Sequence, residues 1–481
     1  MAVRGGLRGW FKDCPLATRR LVGAGRRRLR ADPSLTDPIF RACAAWLAET
    51  EWWSAAELYA LQCERLQALV AHAYAHVPYY CRLFRDHGLA PSDIMTPADL
   101  AQLPLLTRQQ AQANLAALQP RNLDPALLQT RTTGGTTGTP LSITYDAQAD
   151  AVELAFRMRQ WRWAGYRPGA PLLILRDDFA GRTNRHGTTV KWDYNSARNA
   201  LVLSAFHLNA AILPDYWALL REFQPRFIEA YPSALSVLAR FMQQQGVTAV
   251  HPQAIFCESE TIVPWQRSLL ETTFGCPLFA GYGNSERAVD AVECEAHSGY
   301  HICQEYGVLE IVDAHGEAVT EEGAIGLVVG TGFYTNAMPL IRYQTGDLAR
   351  VTHHPCSCGR AHPLIGDIVG RLQEMVVTED GELVAIGVLQ IRAPAYRHVQ
   401  QFQFVQEQPG RLELRLVPAK GYSEHAARQI RDELTTQFGG RMQVTLTTVP
   451  AIDRTSRGKQ QFLLQRLPIG LADVTLGLGG V

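Results

Sequence analysis

From residue 141 to about 330 the chain alternates short apolar runs of strand character with longer helix-like stretches, and no other feature constrains its fold more. PLLILRD, RFIEAYP, AIFCES, CPLFAGYG and GVLEIVD are brief and rich in β-branched or aromatic residues. Between several of them lie SALSVLARFMQQQ and PWQRSLLETTFG, which have helical apolar spacing. Such alternation predicts an α/β layered domain, a sheet covered by helices. Upstream, residues 38–120 read as helical. SAAELYALQCERLQALVAHAYAHVPYY places apolar residues three and four apart, and TPADLAQLPLLTRQQAQANL reads as a capped helix interrupted by Pro104. Near 370 the character changes. GRLQEMVVTEDGELV reads as strand, DG turn, strand, and FQFVQEQPGRLELRLVPA as a hairpin. SEHAARQIRDELTTQFGG reads as an amphipathic helix and MQVTLTTVP as a final strand. The expected division is a basic segment over 1–40, a large multi-layer α/β domain over 41–369 and a small α+β domain over 370–481, hinged at Gly370–Glu374.

At 481 residues there is room for more than one domain and a large core. The formal net charge of +0 argues against a nucleic-acid binder held by bulk electrostatics. No apolar run approaches the ~18 residues of a membrane helix. The first thirty residues break the balance, with Arg4, Arg8, Lys12, Arg19, Arg20, Arg26, Arg27, Arg28 and Arg30 against Asp13. Lacking an apolar h-region, this segment is not a secretory signal. A transit peptide or a surface for anionic lipid fits it, and a solvated basic tail or a partner-docking helix fits better. Cys43, Cys63 and Cys257 stand singly in apolar contexts, as reduced cysteines do, which predicts a reducing, cytoplasmic setting.

Residues 131–140, RTTGGTTGTP, combine adjacent glycines, a third glycine and five threonines. Glycine lets main chain approach a polyanion, successive N–H groups form an anion cradle, and threonine hydroxyls add donors. The segment reads as a triphosphate loop, with a Gly/Thr hairpin turn as the alternative. It is not a Walker loop, because the required lysine is absent. Further along the chain come GYGNSE (281–286), IRYQTGD (341–347), GRLQE (370–374) and RTSRGK (454–459).

In this order, the five segments resemble those of the acyl-adenylate-forming superfamily, and more narrowly of the phenylacetate–coenzyme A ligase branch with its capsule-biosynthesis relatives. VPYY at 77–80, YPSAL at 231–235, ESETIVPWQR at 258–267 and GFYTNAMPLIRYQTGDLAR at 332–350 extend the likeness over residues 50–465. The resemblance implies a large α/β N-terminal domain with a small mobile C-terminal lid, and activation of a carboxylic acid, aryl or arylacetic, as acyl-AMP from ATP and Mg²⁺. Transfer to the thiol of coenzyme A would follow. A homodimer is compatible with it.

Carried over residue by residue, Thr133, Gly134, Gly135, Thr136, Thr137, Gly138 and Thr139 would cradle the phosphates. Tyr282, Gly283, Asn284 and Ser285 would line the nucleotide, Tyr282 stacking on adenine unless it is a core aromatic. Glu286 would hold Mg²⁺, or else be a loop carboxylate. Asp347 would accept from both ribose hydroxyls, a job a carboxylate suits, and Arg371 would contact the same nucleotide. This chain has Gln373-Glu374 where relatives carry an Asp pair or a Lys, leaving Glu374 as the better hinge residue. Lys459 would be the adenylation lysine, a point cation for charge spread over the α-phosphoryl transition state.

A second site is expected around Cys356-Ser-Cys358 and Cys294-Glu-Ala-His297-Ser-Gly-Tyr-His301-Ile-Cys303. Thiolates with one imidazole suit tetrahedral Zn²⁺, and the resemblance points to structural zinc on Cys294, His301, Cys356 and Cys358. His297 and Cys303 are replacements, with His353, His354 and His362 also in range. Ser285 lacks a GxSxG elbow and is no hydrolase nucleophile. His207 either lines the acyl pocket or is a satisfied core histidine, and Arg176-Asp177-Asp178 reads as a strand-end salt cluster. Two functional alternatives stay open: an amine or carrier-protein thiol as acceptor, and a noncatalytic nucleotide-binding relative.

Overall fold

The computed structural model describes residues 15–29, 32–132, 141–177, 190–247, 250–371, 374–386, 389, 396, 398–453, 460–467 and 469. The chain is mixed α/β and groups into two compact units. One draws on residues 1–36, 164–280 and 374–468, the other on 37–163, 281–373 and 469–481.

The first unit is built on the run that alternates in sequence. Strands Leu172–Asp177, Ala200–Ser204, Phe227–Ala230 and Ala254–Glu258 pair in parallel. Trp192–Asn195 adds an antiparallel edge. Every residue of Ala200–Ser204 and Phe227–Ala230 is buried, which is why these strands read as continuous apolar runs. Helices Leu213–Phe223, Pro232–Gln244 and Pro264–Phe274 each have proline in the first two positions, where its missing N–H costs nothing.

Within the basic N-terminal segment, the described residues Leu16–Leu29 form a helix that docks within its own chain. Arg19 pairs with Asp193 at 3.2 Å and stacks 4.5 Å over Trp192, and Arg20 donates to the Glu222 carbonyl at 3.1 Å. These two arginines are therefore not part of a free tail.

The same unit includes a four-stranded sheet, ordered Gln443–Thr448, Arg411–Pro418, Val399–Gln408, Leu463–Gln465, with the Glu424–Gln437 helix packed on it. Both hairpins expected here form: Met375–Val377 with Leu383–Ala385, and Val399–Gln408 with Arg411–Pro418. Gln443–Thr448 is not the last strand. Leu463–Gln465 follows and pairs in parallel with Val399–Gln408. Trp265 packs against this sheet's core, its ring 5.6 Å from that of Phe402, and Arg240 donates to the Val399 carbonyl at 2.7 Å.

The second unit begins with helices Pro38–Thr50, Ala55–His76 and Pro78–Asp86. Ser54 and Glu57 close a capping box at the start of the long one. The stretch interrupted by Pro104 splits into a 3₁₀ turn, Pro97–Gln102, and a short helix, Arg108–Ala113. Strands Gly307–Val312, Ile325–Gly332, Tyr343–Val351, Leu364–Arg371, Tyr300–Ile302 and Asp290–Glu293 pair antiparallel in that order. GVLEIVD therefore belongs to an antiparallel ladder rather than to the parallel run. A hairpin, Gln129–Thr132 with Ser142–Tyr145, flanks residues 133–140, and the helix Ala149–Trp163 follows it.

Candidate active site and metal centre

Residues 133–140 and 454–459 lie outside the described residues, so the expected roles of Thr133, Gly134, Gly135, Thr136, Thr137, Gly138, Thr139 and Lys459 concern positions on which the structure is silent. The rest of the expected nucleotide set comes together in the second unit. Asp347 and Arg371, on neighbouring strands, are direct register partners. Arg371 Nε donates to Asp347 Oδ1 at 3.1 Å. Tyr282, buried at the end of Leu278–Gly283, donates its hydroxyl to Asp347 Oδ2 at 2.9 Å. Burial first, and the Asp347 charge second, push the Tyr282 phenol well above its ordinary value, so it stays a donor. Thr345 Oγ1 accepts from the Asp347 N–H at 3.1 Å and donates to the Val328 carbonyl at 2.9 Å, which fixes the turn before the carboxylate.

The turn after Tyr282 carries Glu286. Asn284 caps it, its carbonyl accepting from Arg287 N at 3.0 Å and its Oδ1 from Ala288 N at 2.9 Å. The Tyr145 hydroxyl donates to the Ser285 carbonyl. Glu286 is 7% exposed, and its Oε1 accepts from Arg108 Nη1 at 2.9 Å and from the Tyr343 hydroxyl at 3.2 Å. Sequence reasoning missed Arg108, which lies 178 positions from Glu286. One local signal existed. Arg108 opens the helix capped by Thr107, a position where the helix dipole disfavours a cation. Two main-chain bonds tie its loop to the Asp347 strand: Leu106 N to the Arg342 carbonyl at 2.9 Å, and Gln344 N to the Leu106 carbonyl at 3.0 Å.

The second expected cluster is also present. The ligand atoms of Cys294, His301, Cys356 and Cys358 all lie within 4.8 Å of one another. Cys294 and Cys356 sulfurs are 3.5 Å apart, and Cys358 Sγ is 3.4 Å from His301 Nε2. His301 Nδ1 lies 3.1 Å from the His362 carbonyl, a bond that places the proton on Nδ1 and leaves the Nε2 lone pair towards the thiols. Burial pulls the His301 pKa down to about 4, favouring the neutral ring. The alternative ligands are engaged elsewhere. Cys303 accepts from Arg159 at 2.9 Å, His297 pairs with Glu293, His353 with the Thr320 carbonyl, His354 with Glu322, and His362 with Glu305.

Behind this cluster is a buried ionic network. Glu305 accepts from Arg159 Nη1 at 2.7 Å, Thr50 Oγ1 at 2.7 Å and His362 Nε2 at 3.1 Å. Burial opposes its charge, yet Arg159 and His362 outweigh it and hold the carboxyl below its usual range. Arg360 stacks 4.1 Å over Trp163 and pairs with Glu51 and Glu295.

In the first unit, Arg176, near the end of its strand, bonds Glu229 at 2.6 Å and approaches Glu258 at 3.4 Å, partners other than those expected; Asp178 of the expected cluster lies outside the described residues. His207 Nδ1 is 2.8 Å from Ser204 Oγ, as in a satisfied histidine. Among the described residues, no helix is long and apolar enough to cross a membrane.

Residues 376–466 match the model of the CapK C-terminal domain. The chain is 28% identical over 374 residues to a phenylacetate–coenzyme A ligase of Thermus thermophilus, covering 74% of this chain and 80% of that protein. It is 24% identical to protein CapK of Staphylococcus aureus, covering 85% and 90%. Among solved structures, a 2-hydroxyisobutyryl-CoA ligase in complex with 2-HIB-AMP aligns with a TM-score of 0.70 at 19% identity, over 87% of this chain and 91% of that one. By sequence and fold the chain thus resembles the phenylacetate–coenzyme A ligase-like branch of the acyl-adenylate-forming enzymes, which join a large α/β N-terminal domain to a small C-terminal one.

Proposed function

We propose that this protein is an AMP-forming acid–thiol ligase. The observation that supports it most directly is the convergence of Tyr282 and Arg371 on Asp347, beside the turn that carries Glu286. In the first half-reaction a carboxylate oxygen attacks the α-phosphorus of ATP, giving acyl-AMP and pyrophosphate. In the second, a thiol adds to the acyl carbonyl and AMP leaves. Asp347 and Arg371 orient the nucleoside, residues 133–139 hold the phosphates, and Lys459 neutralises charge at the reacting centre. Arg108, already on Glu286, adds a cation beside the phosphates.

Glu286 offers the hard carboxylate oxygen that Mg²⁺ prefers, and the ion would neutralise phosphate charge there. Cys294, His301, Cys356 and Cys358 would hold a structural Zn²⁺, their three sulfurs and one nitrogen being a tetrahedral zinc set. Residues 370–481 act as a lid that turns about 370–374 against residues 41–369, so that Lys459 serves the first step and withdraws for the second. The names of the relatives favour an arylacetic acid as substrate and coenzyme A as acceptor.

The test is ATP–pyrophosphate exchange across a panel of carboxylic acids, followed by mass identification of the acyl product with and without coenzyme A. Exchange with at least one acid and a thioester only when coenzyme A is supplied is the expected result. An acyl product on an amine or carrier thiol moves the acceptor. Exchange with no acid sinks the ligase reading and leaves a noncatalytic nucleotide binder.

A further inference from the structure

Glutamine side chains bonded to main chain tie the first residues after Glu374 to the segment that follows Lys459. Gln406, on Val399–Gln408, has no solvent exposure, and its amide meets both the N–H and the carbonyl of Val377. Val377 N donates to Gln406 Oε1 at 2.7 Å, and Gln406 Nε2 donates to the Val377 carbonyl at 2.7 Å. The second N–H of that amide lies towards the Met442 sulfur, 3.8 Å away. Gln465, the register partner of Gln406 on Leu463–Gln465, donates from Nε2 to Gln406 Oε1 and to the Met375 carbonyl, both at 2.8 Å. Its Oε1 accepts from Leu467 N at 2.9 Å. Just before this strand, Gln460 Nε2 donates to the Phe402 carbonyl at 2.6 Å. Gln403 Nε2 donates to the Gln461 carbonyl at 2.9 Å, and Phe404 N to the Phe462 carbonyl at 2.7 Å. Gln460 is the residue after Lys459.

Packing alone does not call for these residues. Gln403, Gln406 and Gln460 are each less than a tenth exposed. Burying a glutamine costs more rotamer entropy than burying a leucine, and its amide then needs partners. An N–H can only donate and a carbonyl only accept, so the Gln406 amide can face Val377 in one sense alone. A buried polar network with its bonds made selects one geometry where apolar contacts would allow sliding. Gly410 N adds a second donor to the Val377 carbonyl at 3.0 Å. Met375–Val377 also pairs with Leu383–Ala385, so the clamp holds that whole hairpin. The chain passes from the second unit to the first between Gln373 and Glu374, and the clamp takes hold immediately afterwards.

We propose that Gln406 and Gln465 are positioning residues: they fix the strand that follows Lys459 to the chain leaving residues 370–374, so that a turn there carries Lys459 as part of one body. The inference rests on the ligase reading above, with its hinge and its adenylation lysine. The experiment compares the wild type with Gln465→Met, which keeps length and loses the donors, and with Gln465→Lys, which keeps N–H donors at that reach. Gln465 is only partly buried, so either change spares the core. Three quantities are measured with an acid that the wild type accepts: kcat and ATP KM in pyrophosphate exchange, thioester formation from supplied acyl-AMP and coenzyme A, and deuterium uptake over residues 374–378 by mass spectrometry. In Gln465→Met the exchange kcat should fall about five- to tenfold with ATP KM unchanged. Thioester formation should stay at the wild-type rate, and deuterium uptake should quicken. Gln465→Lys should recover most of the lost kcat. A merely loosened fold would instead slow both half-reactions alike. Unchanged exchange kcat, unchanged deuterium uptake, an equal loss in both half-reactions or a rise in ATP KM alone overturns the clamp and leaves the ligase reading standing. A wild type that exchanges with no acid overturns both together.

Discussion

Asp347 accepts from Arg371 on Oδ1 and from Tyr282 on Oδ2, although sequence inspection shows it only as the end of a polar turn. Replacing it with Asn keeps the volume but gives up the charge that Arg371 and Tyr282 address. The ATP KM in pyrophosphate exchange is expected to rise about tenfold, a charge-assisted hydrogen bond being worth about 1.5 kcal/mol. Lys459→Ala should abolish exchange yet spare thioester formation from supplied acyl-AMP, and loss of both would count against the assigned division of labour. The residues legible beforehand, Tyr282, Glu286, Asp347 and Arg371, all sit within motifs whose wording carries their role. Arg108 and Gln465 did not show, because their meaning comes from partners 178 and 90 positions away. No local spacing rule reaches that far. The zinc candidates were legible for the opposite reason: soft ligands crowd into two short segments, and the fold had only to bring two loops together.

At the scale of the element, hairpins and helices with strong punctuation were the readable part. The TEDGE turn forms with Gly381 at φ 85°, and the Glu424–Gln437 helix starts at the Ser423 cap. Leu463–Gln465 was not readable, since three residues carry no period and its pairing with Val399–Gln408 is parallel and long-range. The strand Ile325–Gly332 shows a further constraint that sequence hides. A Cβ on Gly332 would stand 2.1 Å from the Arg287 carbonyl oxygen, so this strand runs hard against the Glu286 turn. Gly332→Ala should therefore destabilise by about 1–3 kcal/mol, read as a lower urea midpoint, and should raise the MgATP Kd by displacing that turn. An unaltered midpoint would mean that the turn yields without cost.

Across the whole molecule, the layered α/β class and the CapK-like C-terminal region could be anticipated from the order of motifs, whereas the antiparallel ladder of the second unit could not. Gly307–Val312 is only partly buried, yet its short apolar wording is indistinguishable from that of the parallel strands. The Cys/His cluster makes a prediction at this scale. Purified protein should contain about one equivalent of zinc by elemental analysis, and Cys356→Ser or Cys358→Ser should lose it with a lower melting temperature. Zinc-free wild type with an unchanged melting curve would remove the metal from the account. The Ala149–Trp163 helix gives this cluster a wider reach. Asp150, which accepts from Arg287 Nη2 at 2.6 Å beside Glu286, stands in its first turn. One turn before its end Arg159 holds Glu305, and in its last turn Trp163 lies edge-on to His301, 6.2 Å between rings. Fifteen residues at about 1.5 Å each make a straight strut of roughly 22 Å. Stripping the metal with a chelator should then weaken MgATP binding at the far end of that strut, and calorimetry before and after zinc is restored would tell whether a single helix makes one instrument of two distant sites.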